Sequence, residues 1–465
     1  MQYVSTRGES PPIGFLDAVL AGLAPDGGLY SPAAWPEFSK DEIAAFAGKP
    51  YAEVAAAVLA KFAGEAIPAD EIRRMTADAY AGFDHAAVTP LKQLDSNLWL
   101  LELFHGPTLA FKDVAMQLLA RLYEHALAAK GRTLTIVCAT SGDTGGAAVE
   151  ALRGRGNLRV VVLFPDGRIS EVQRRFMTCA PDDNVRCLAV DGTFDDCQSI
   201  VKSLFQAQGF REAVDLSGVN SINWARIAAQ VVYYFTAAVA LGAPERSISF
   251  AVPTGNFGDA FAGYVASRMG LPIERIILAT NGNDILARAV NDGRYAKGAV
   301  LATQSPAMDI QIASNFERLY FEAVDRQGLE TARAMRAFAE AGAIDIPPKA
   351  LGVIRDLFAG VGIGEAETSR TILSTLNETG EMIDPHTAVG VAAAKRIGAK
   401  SPATPLVVLS TAHPAKFPDA VEAACGRGPA MPGAARALAG KPERLDKIAA
   451  DVEAVKAYVR SFAGV

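Results

Sequence analysis

The sequence predicts an α/β protein with two parallel-sheet lobes, preceded by a mainly helical N-terminal module. From residue 98 onward, short apolar runs of strand length alternate with amphipathic stretches of helical length. That alternation marks strand–helix–strand units, whose sheets are parallel. The runs cover residues 98–103, 135–139, 159–164, 185–190, 248–252, 276–280 and 406–409, and their number points to two lobes. Before residue 90 the pattern differs: 43–62 is alanine-rich, 68–80 repeats apolar residues at helical spacing, and 24–32 carries turn chemistry. The expected domains are therefore 1–90 as the N-terminal module, 91–430 as the two-lobed region and 431–465 as a helical C-terminal segment. Within the last, 442–463 is predicted as one charged amphipathic helix.

A chain of 465 residues can bury a large core. Its net charge of −6 leaves no basic footprint, which argues against a nucleic-acid partner. The N-terminus lacks an apolar signal region, and the apolar helix around 231–242 is too short to span a bilayer. Cys138, Cys179, Cys187, Cys197 and Cys425 form no Cys-x-x-Cys pair, so a reducing, cytoplasmic setting is expected. No cluster of His, Cys or Asp has ligand spacing, so no metal site is expected. No Gly-x-Ser-x-Gly elbow supports a serine hydrolase. No internal repeat is present.

His105-Gly-Pro-Thr-Leu-Ala-Phe-Lys-Asp113 leads into a helix predicted to run to about residue 129. Ala115, Leu119, Leu122 and Ala126 mark its buried face, and Asp113, Gln117, Arg121 and Glu124 its wet one. Lys112 falls on the buried stripe. Spacing alone fits either a lysine that snorkels past the first turn or an amine kept nucleophilic for a carbonyl.

Ala139-Thr-Ser-Gly-Asp-Thr-Gly-Gly-Ala147 follows a strand and opens a helix, where ligands of open α/β sheets bind. Its glycines permit close backbone approach, Ser141 and Thr144 offer hydroxyls, and the helix start favours an anion. Asp143 argues against a simple anion site unless it points away. Pro253-Thr-Gly-Asn-Phe-Gly-Asp259 repeats the arrangement, as a nest of backbone N–H groups able to cradle a phosphate. The glycine run 360–364 matches no nucleotide fingerprint. Leu409-Ser-Thr-Ala-His-Pro-Ala-Lys-Phe417 ends another strand with hydroxyls, His413 and Lys416. Asn220-Ser-Ile-Asn-Trp-Ala-Arg226 opens a long helix with adequate N-caps. Arg226 lies in the first turn, where the dipole disfavours a cation, a hint of an anionic partner. An inward lysine, a phosphate nest, an anion-and-hydroxyl turn and a strand-end hydroxyl are the parts a pyridoxal phosphate site needs.

These five motifs occur in the order seen in threonine synthases, and the chain resembles that family from residue 3 to about 417. The opening Tyr3-Val-Ser-Thr-Arg-Gly8 and Asp26-Gly-Gly-Leu-Tyr30 resemble the family's N-terminal domain. The resemblance implies the pyridoxal-phosphate fold type II of tryptophan synthase β, pyridoxal 5'-phosphate as cofactor, and conversion of O-phospho-L-homoserine and water to L-threonine and phosphate. It implies Lys112 as the Schiff-base lysine, Gly255, Asn256, Phe257, Gly258 and Asp259 around the cofactor phosphate, and Thr411 at the pyridine nitrogen. Ser141, Asp143 and Thr144 would lie in the loop that faces the substrate. From their motif positions and the anionic substrate, Arg226, Lys416 and the hydroxyls of Ser141 and Thr144 are expected to aid departure of its phosphate. Asp143 stands where many relatives of this fold carry Asn, which favours this family over the dehydratases. The alternatives are a serine/threonine dehydratase, a cysteine synthase or a non-catalytic ligand-binding relative, and a monomer or homodimer is expected.

Overall fold

In the computed structural model, which describes residues 1–465, two sheets define the two lobes. The larger has six strands in the spatial order Phe358–Gly362, Ile273–Thr280, Ile248–Pro253, Leu406–Ser410, Leu98–Glu102 and Leu91–Gln93. Five run parallel, and Leu91–Gln93 closes one edge antiparallel. The smaller sheet is wholly parallel, in the order Asp446–Ala449, Val185–Asp191, Leu158–Pro165, Leu134–Ala139 and Leu216–Ser217. All seven predicted runs are strands. Leu158–Pro165 shows why they read as continuous apolar stretches: seven of its eight residues are buried, because helices cover both faces of a parallel sheet.

Parallel strands send their carboxyl ends to one side, and the motif loops emerge there. Leu98–Glu102 leads to helix Lys112–Lys130, Leu134–Ala139 to helix Asp143–Leu152, and Ile248–Pro253 to helix Gly258–Arg268. Leu406–Ser410 ends directly at Thr411.

Three expectations change. The wet face of helix Lys112–Lys130 is largely absent: Asp113 and Gln117 are buried, Arg121 is half-buried, and only Glu124 is exposed. Helices Ala69–Tyr80, Asp143–Leu152 and Trp224–Ala240 pack around it, so polar residues at its start find internal partners instead of water. The predicted helix 442–463 is a strand, Asp446–Ala449, followed by helix Val452–Ala463 with Asp451 as N-cap. Val455, Val459 and Ala463 pack with Ile200, Leu204 and Phe210, so this segment completes the smaller lobe. Finally, the N-terminal module contains a three-stranded antiparallel sheet of Gln2–Ser5, Ile13–Gly14 and Tyr30–Pro32. Its alanine-rich stretch breaks into Lys40–Ala44 and Tyr51–Ala63, because Pro50 sets a new helix start.

The module shares its core with the larger lobe. Trp224, fully buried, packs its indole among Tyr3, Trp35 and Phe62 in tilted and edge-to-face contacts at centroid distances of 5.8, 6.0 and 5.4 Å. No helix is long and apolar enough to cross a membrane. Trp224→Ala should lower the unfolding free energy by about 3–5 kcal/mol, through lost transfer energy and the cavity left behind. The shift in urea midpoint measures it, and a change under 1 kcal/mol would show that the module docks without this ring.

Candidate active site

The loop 103–111 is pinned against the end of strand Leu406–Ser410. The Phe111 N–H donates to the Thr411 carbonyl at 2.8 Å, and the His413 N–H donates to the Leu109 carbonyl at 3.0 Å. Asp113, fully buried, accepts the Thr108 N–H at 2.8 Å and the Thr108 hydroxyl at 2.6 Å, folding the loop back over the helix start. Burial pushes the Asp113 carboxyl up to about 6, against these bonds and the charge of Lys416.

Lys112 is 9% exposed, so its amine does not snorkel out. Its Nζ lies 3.6 Å from Asp143 Oδ2 and 4.5 Å from the centre of the Phe111 ring. Burial drives the amine below the ordinary lysine value; Asp143 opposes this, while Lys416 and Arg226 add to it. On the other side of Asp143, Lys416 Nζ lies 2.8 Å from Oδ1 and donates to the Thr108 carbonyl at 2.8 Å. Burial alone would raise the Asp143 carboxyl, but Lys416 and Lys112, with a 3.0 Å hydrogen bond from Gln173 Nε2, hold it far below the usual carboxylate range. Asp143 is thus a buried, ionised carboxylate held between the side chains of Lys112 and Lys416.

The loop itself is shaped by Thr140, whose hydroxyl oxygen accepts the N–H groups of Gly142 and Gly145 at 2.9 Å each. Gly142 has φ of +131° and would place a Cβ 2.5 Å from the Gln173 side chain, so only glycine fits. Ser141 and Thr144 are partly exposed at the rim, and their hydroxyls are engaged by no protein group.

In the second glycine turn, Phe257 is buried at φ of +65°, the left-handed region, just before helix Gly258–Arg268. The N–H groups of Gly255, Asn256, Phe257 and Gly258 find no acceptor in the chain, leaving four consecutive donors at a helix start. That is the geometry of an anion nest. Asp259 does not face an anion there: its carboxylate accepts the Thr254 hydroxyl at 2.5 Å and the Ala260 N–H at 2.8 Å, and burial raises it. Asn315 braces the turn from behind, donating N–H and Nδ2 to the Asn256 carbonyl at 3.1 Å each.

Arg226 is 4% exposed and forms no ion pair. Nη1 donates to the Val219 carbonyl at 3.0 Å, and Nε has no partner. Burial pushes this guanidinium down to about 10. An unpaired buried cation is costly unless an anion joins it. The Thr411 side chain is 5% exposed, and its hydroxyl has no acceptor or donor in the chain. His413 Nδ1 accepts the Ala415 N–H at 3.1 Å, and burial pushes the ring down to about 4, so it stays neutral.

The structure therefore brings Lys112, Asp143 and Lys416 into contact and sets Arg226 and Asp259 close enough for their charges to act on Lys112. Sequence reading missed Thr108, Thr140, Gln173 and Asn315. Gln173 was concealed by its ordinary capping box with Ser170, which hides the bond to Asp143. Among the histidines, cysteines and acids, no group could hold a metal ion.

A model of pyridoxal-phosphate dependent enzymes matches residues 83–412. With the two-lobed parallel architecture, this makes the chain a pyridoxal-phosphate-dependent enzyme of fold type II. Models of the threonine synthase N terminus and of the threonine synthase C-terminal region match residues 2–80 and 387–459. Threonine synthase of Pseudomonas aeruginosa is 48% identical over 460 residues, spanning 99% of this chain and 98% of that one. The crystal structure of pyridoxal-phosphate-bound threonine synthase from Brucella melitensis superposes with a TM-score of 0.97 at 54% identity, covering all of both chains. The yeast threonine synthase structure gives 0.94 at 38% identity, over 100% of this chain and 99% of that one. The chain belongs to the threonine synthase family and is a pyridoxal-phosphate-dependent lyase.

Asp143→Asn leaves the buried Lys416 ammonium without its carboxylate partner and should destabilise the fold by about 3–5 kcal/mol at neutral pH. The native carboxyl is depressed, so its stabilisation is present above the unfolded value of about 3.9 and lost as pH falls below it. Urea unfolding at fixed cofactor concentration should show the mutant and native curves converging below about pH 4. A difference independent of pH would assign the effect to packing instead.

Proposed function

We propose that the chain converts O-phospho-L-homoserine and water to L-threonine and phosphate, using Lys112, the 255–259 nest and Thr411 to hold the cofactor. The observation that carries this is the buried Lys112 amine beside Asp143, in a chain that also leaves four consecutive N–H donors at 255–258 and the strand-end hydroxyl of Thr411 without partners. A reactive aldehyde needs a readily deprotonated amine, a phosphate needs convergent N–H donors, and a ring nitrogen needs one polar partner; the residues fit all three. Lys112 would be the covalent anchor, Gly255, Asn256, Phe257 and Gly258 would take the phosphate, and Asp259 would stiffen the turn. Bound there, the cofactor supplies an electron sink for carbon-acid chemistry. Thr411 is a hydroxyl, which unlike a carboxylate does not hold a proton on the ring nitrogen, so the sink is moderate. That suits elimination and hydration.

The remaining work falls to the protein's own groups. Lys112, its amine lowered by burial, takes protons from the substrate Cα and Cβ and returns them at Cγ, where the methyl group forms, and at Cα. Ser141 and Thr144, at the rim, bind the substrate, and the 140–145 loop has free N–H groups at Ser141, Asp143 and Thr144 for its carboxylate. Arg226 meets the second phosphate and supports charge on the leaving oxygen. Lys416 acts at one remove: Asp143 and the Thr108 carbonyl engage its ammonium, and its field adds to that of Arg226. Water then adds at Cβ. All five cysteines are free thiols, which suits a reducing cytoplasm, and the substrate is a small molecule.

Lys112→Ala should lack the visible absorbance of bound cofactor and lose about 10⁴-fold in phosphate release from O-phospho-L-homoserine, with threonine identified as co-product in the native enzyme. Retained activity would remove Lys112 from the mechanism. Arg226→Ala should raise the Michaelis constant about 10–100-fold, the worth of charge-assisted hydrogen bonds to one phosphate. Unchanged KM and kcat would exclude Arg226.

A further inference from the structure

Behind the strand ends lies a buried polar chain that the reading above leaves unused. Asp384, fully buried, caps helix Pro385–Ile397 and accepts the N–H groups of His386 and Thr387 at 3.0 Å each, together with the Thr387 hydroxyl. His386 is 3% exposed, and its Nδ1 lies 2.7 Å from Asp384 Oδ2. Its Nε2 accepts the Ala307 N–H at 3.2 Å. An amide N–H only donates, so Nε2 carries no proton, and the neutral ring directs its Nδ1 proton at Asp384. The Thr387 proton also goes to Asp384, so in the 3.0 Å Thr387–Ser410 contact the donor is Ser410. Every donor and acceptor from Ala307 to Ser410 is thereby assigned.

Helix capping accounts for Asp384 and the first-turn amides, but it does not require the His386 ring to reach a second loop. The two ends of the chain identify what it holds. Ser410 precedes Thr411. Ala307 and Met308 form the wall behind the nest: a Cβ on Gly255 would lie 3.1 Å from the Ala307 carbonyl oxygen and from Met308 Cα. Asp309 secures the far end of the same segment, accepting Asn281 Nδ2 at 2.8 Å and the Thr303 hydroxyl at 2.6 Å. The near end has His386.

We propose that His386 is a positioning residue for the cofactor phosphate: through the Ala307 N–H it fixes the wall on which the Gly255 turn is set, and Asp384 fixes its tautomer. This rests on the reading of 255–259 as the phosphate site. Two substitutions separate the two nitrogens. Asn can reproduce the donor at Nδ1 but not the acceptor at Nε2; Gln can reproduce the acceptor but not the donor. Full-length protein freed of cofactor is titrated with pyridoxal 5'-phosphate and with pyridoxal, each followed by absorbance. His386→Asn should weaken pyridoxal 5'-phosphate by about tenfold and pyridoxal by less than about twofold, while His386→Gln stays near the native ratio. An unchanged ratio in His386→Asn overturns the proposal. So does equal weakening of both compounds, or equal loss in both variants, since either assigns the effect to packing against Phe417. Gly255→Ala serves as the reference. If it lowers the ratio and His386→Asn does not, only the role of His386 falls; if neither lowers it, the phosphate reading of the nest falls and the proposal with it.

Discussion

The charge arrangement of the site turns on one buried carboxylate. Asp143 opens a helix of the smaller lobe, while Lys416 comes from the strand end of the larger lobe and Lys112 from the helix beside it. Their ion pairs therefore join the two lobes at the place where ligands bind. Ser170, in the smaller lobe, adds a 3.2 Å hydrogen bond to the Lys416 carbonyl. At low local dielectric one carboxylate between two ammonium groups is strongly held, and its position at a helix start, where the dipole favours an anion, adds to this. The same arrangement sets the charge of Asp143 against Lys112 and Lys416, which answers the objection to a carboxylate in an anion-binding turn.

The N-terminal module acts through a different buried charge. Arg318 is fully buried and has no direct carboxylate partner; its guanidinium donates to the Tyr30 carbonyl at 3.0 and 2.8 Å, to the Ile222 carbonyl at 2.7 Å and to Asn315. Burial pushes it down to about 9. Asn315 in turn braces Asn256. One side chain thus connects the N-terminal sheet, the approach to helix Trp224–Ala240 and the nest. Thr6 and Arg7 reinforce the junction through Glu317, at 2.6 and 2.9 Å.

Much of this was legible in the sequence, for identifiable reasons. Buried parallel strands are apolar on both faces, so their runs stood out, and the glycine turns that follow them marked the ligand side. Lys112 was placed on a buried face by spacing alone. What escaped was polar burial. Asp113 and Gln117 occupy positions that read as solvated, and only the enclosure of their helix by three others shows otherwise. Asp446–Ala449 has four residues, two of them charged, and carries no apolar alternation; it is a strand because Val185–Asp191 offers it an edge. Asp384 and His386 carry no motif signal: Asp384 is a helix N-cap, and the second bond of the His386 imidazole is made to a loop distant in sequence.

That late strand has a bearing on synthesis. Residues 446–449 follow the whole of the larger lobe in the chain, yet they cover the outer edge of the smaller one. While the larger lobe is being made, Val185–Asp191 remains an open, mostly apolar parallel edge, the kind of surface on which other strands add. The smaller lobe is begun early and finished last. Its protection from misassociation on the ribosome falls to whatever shields that edge until the chain returns to it.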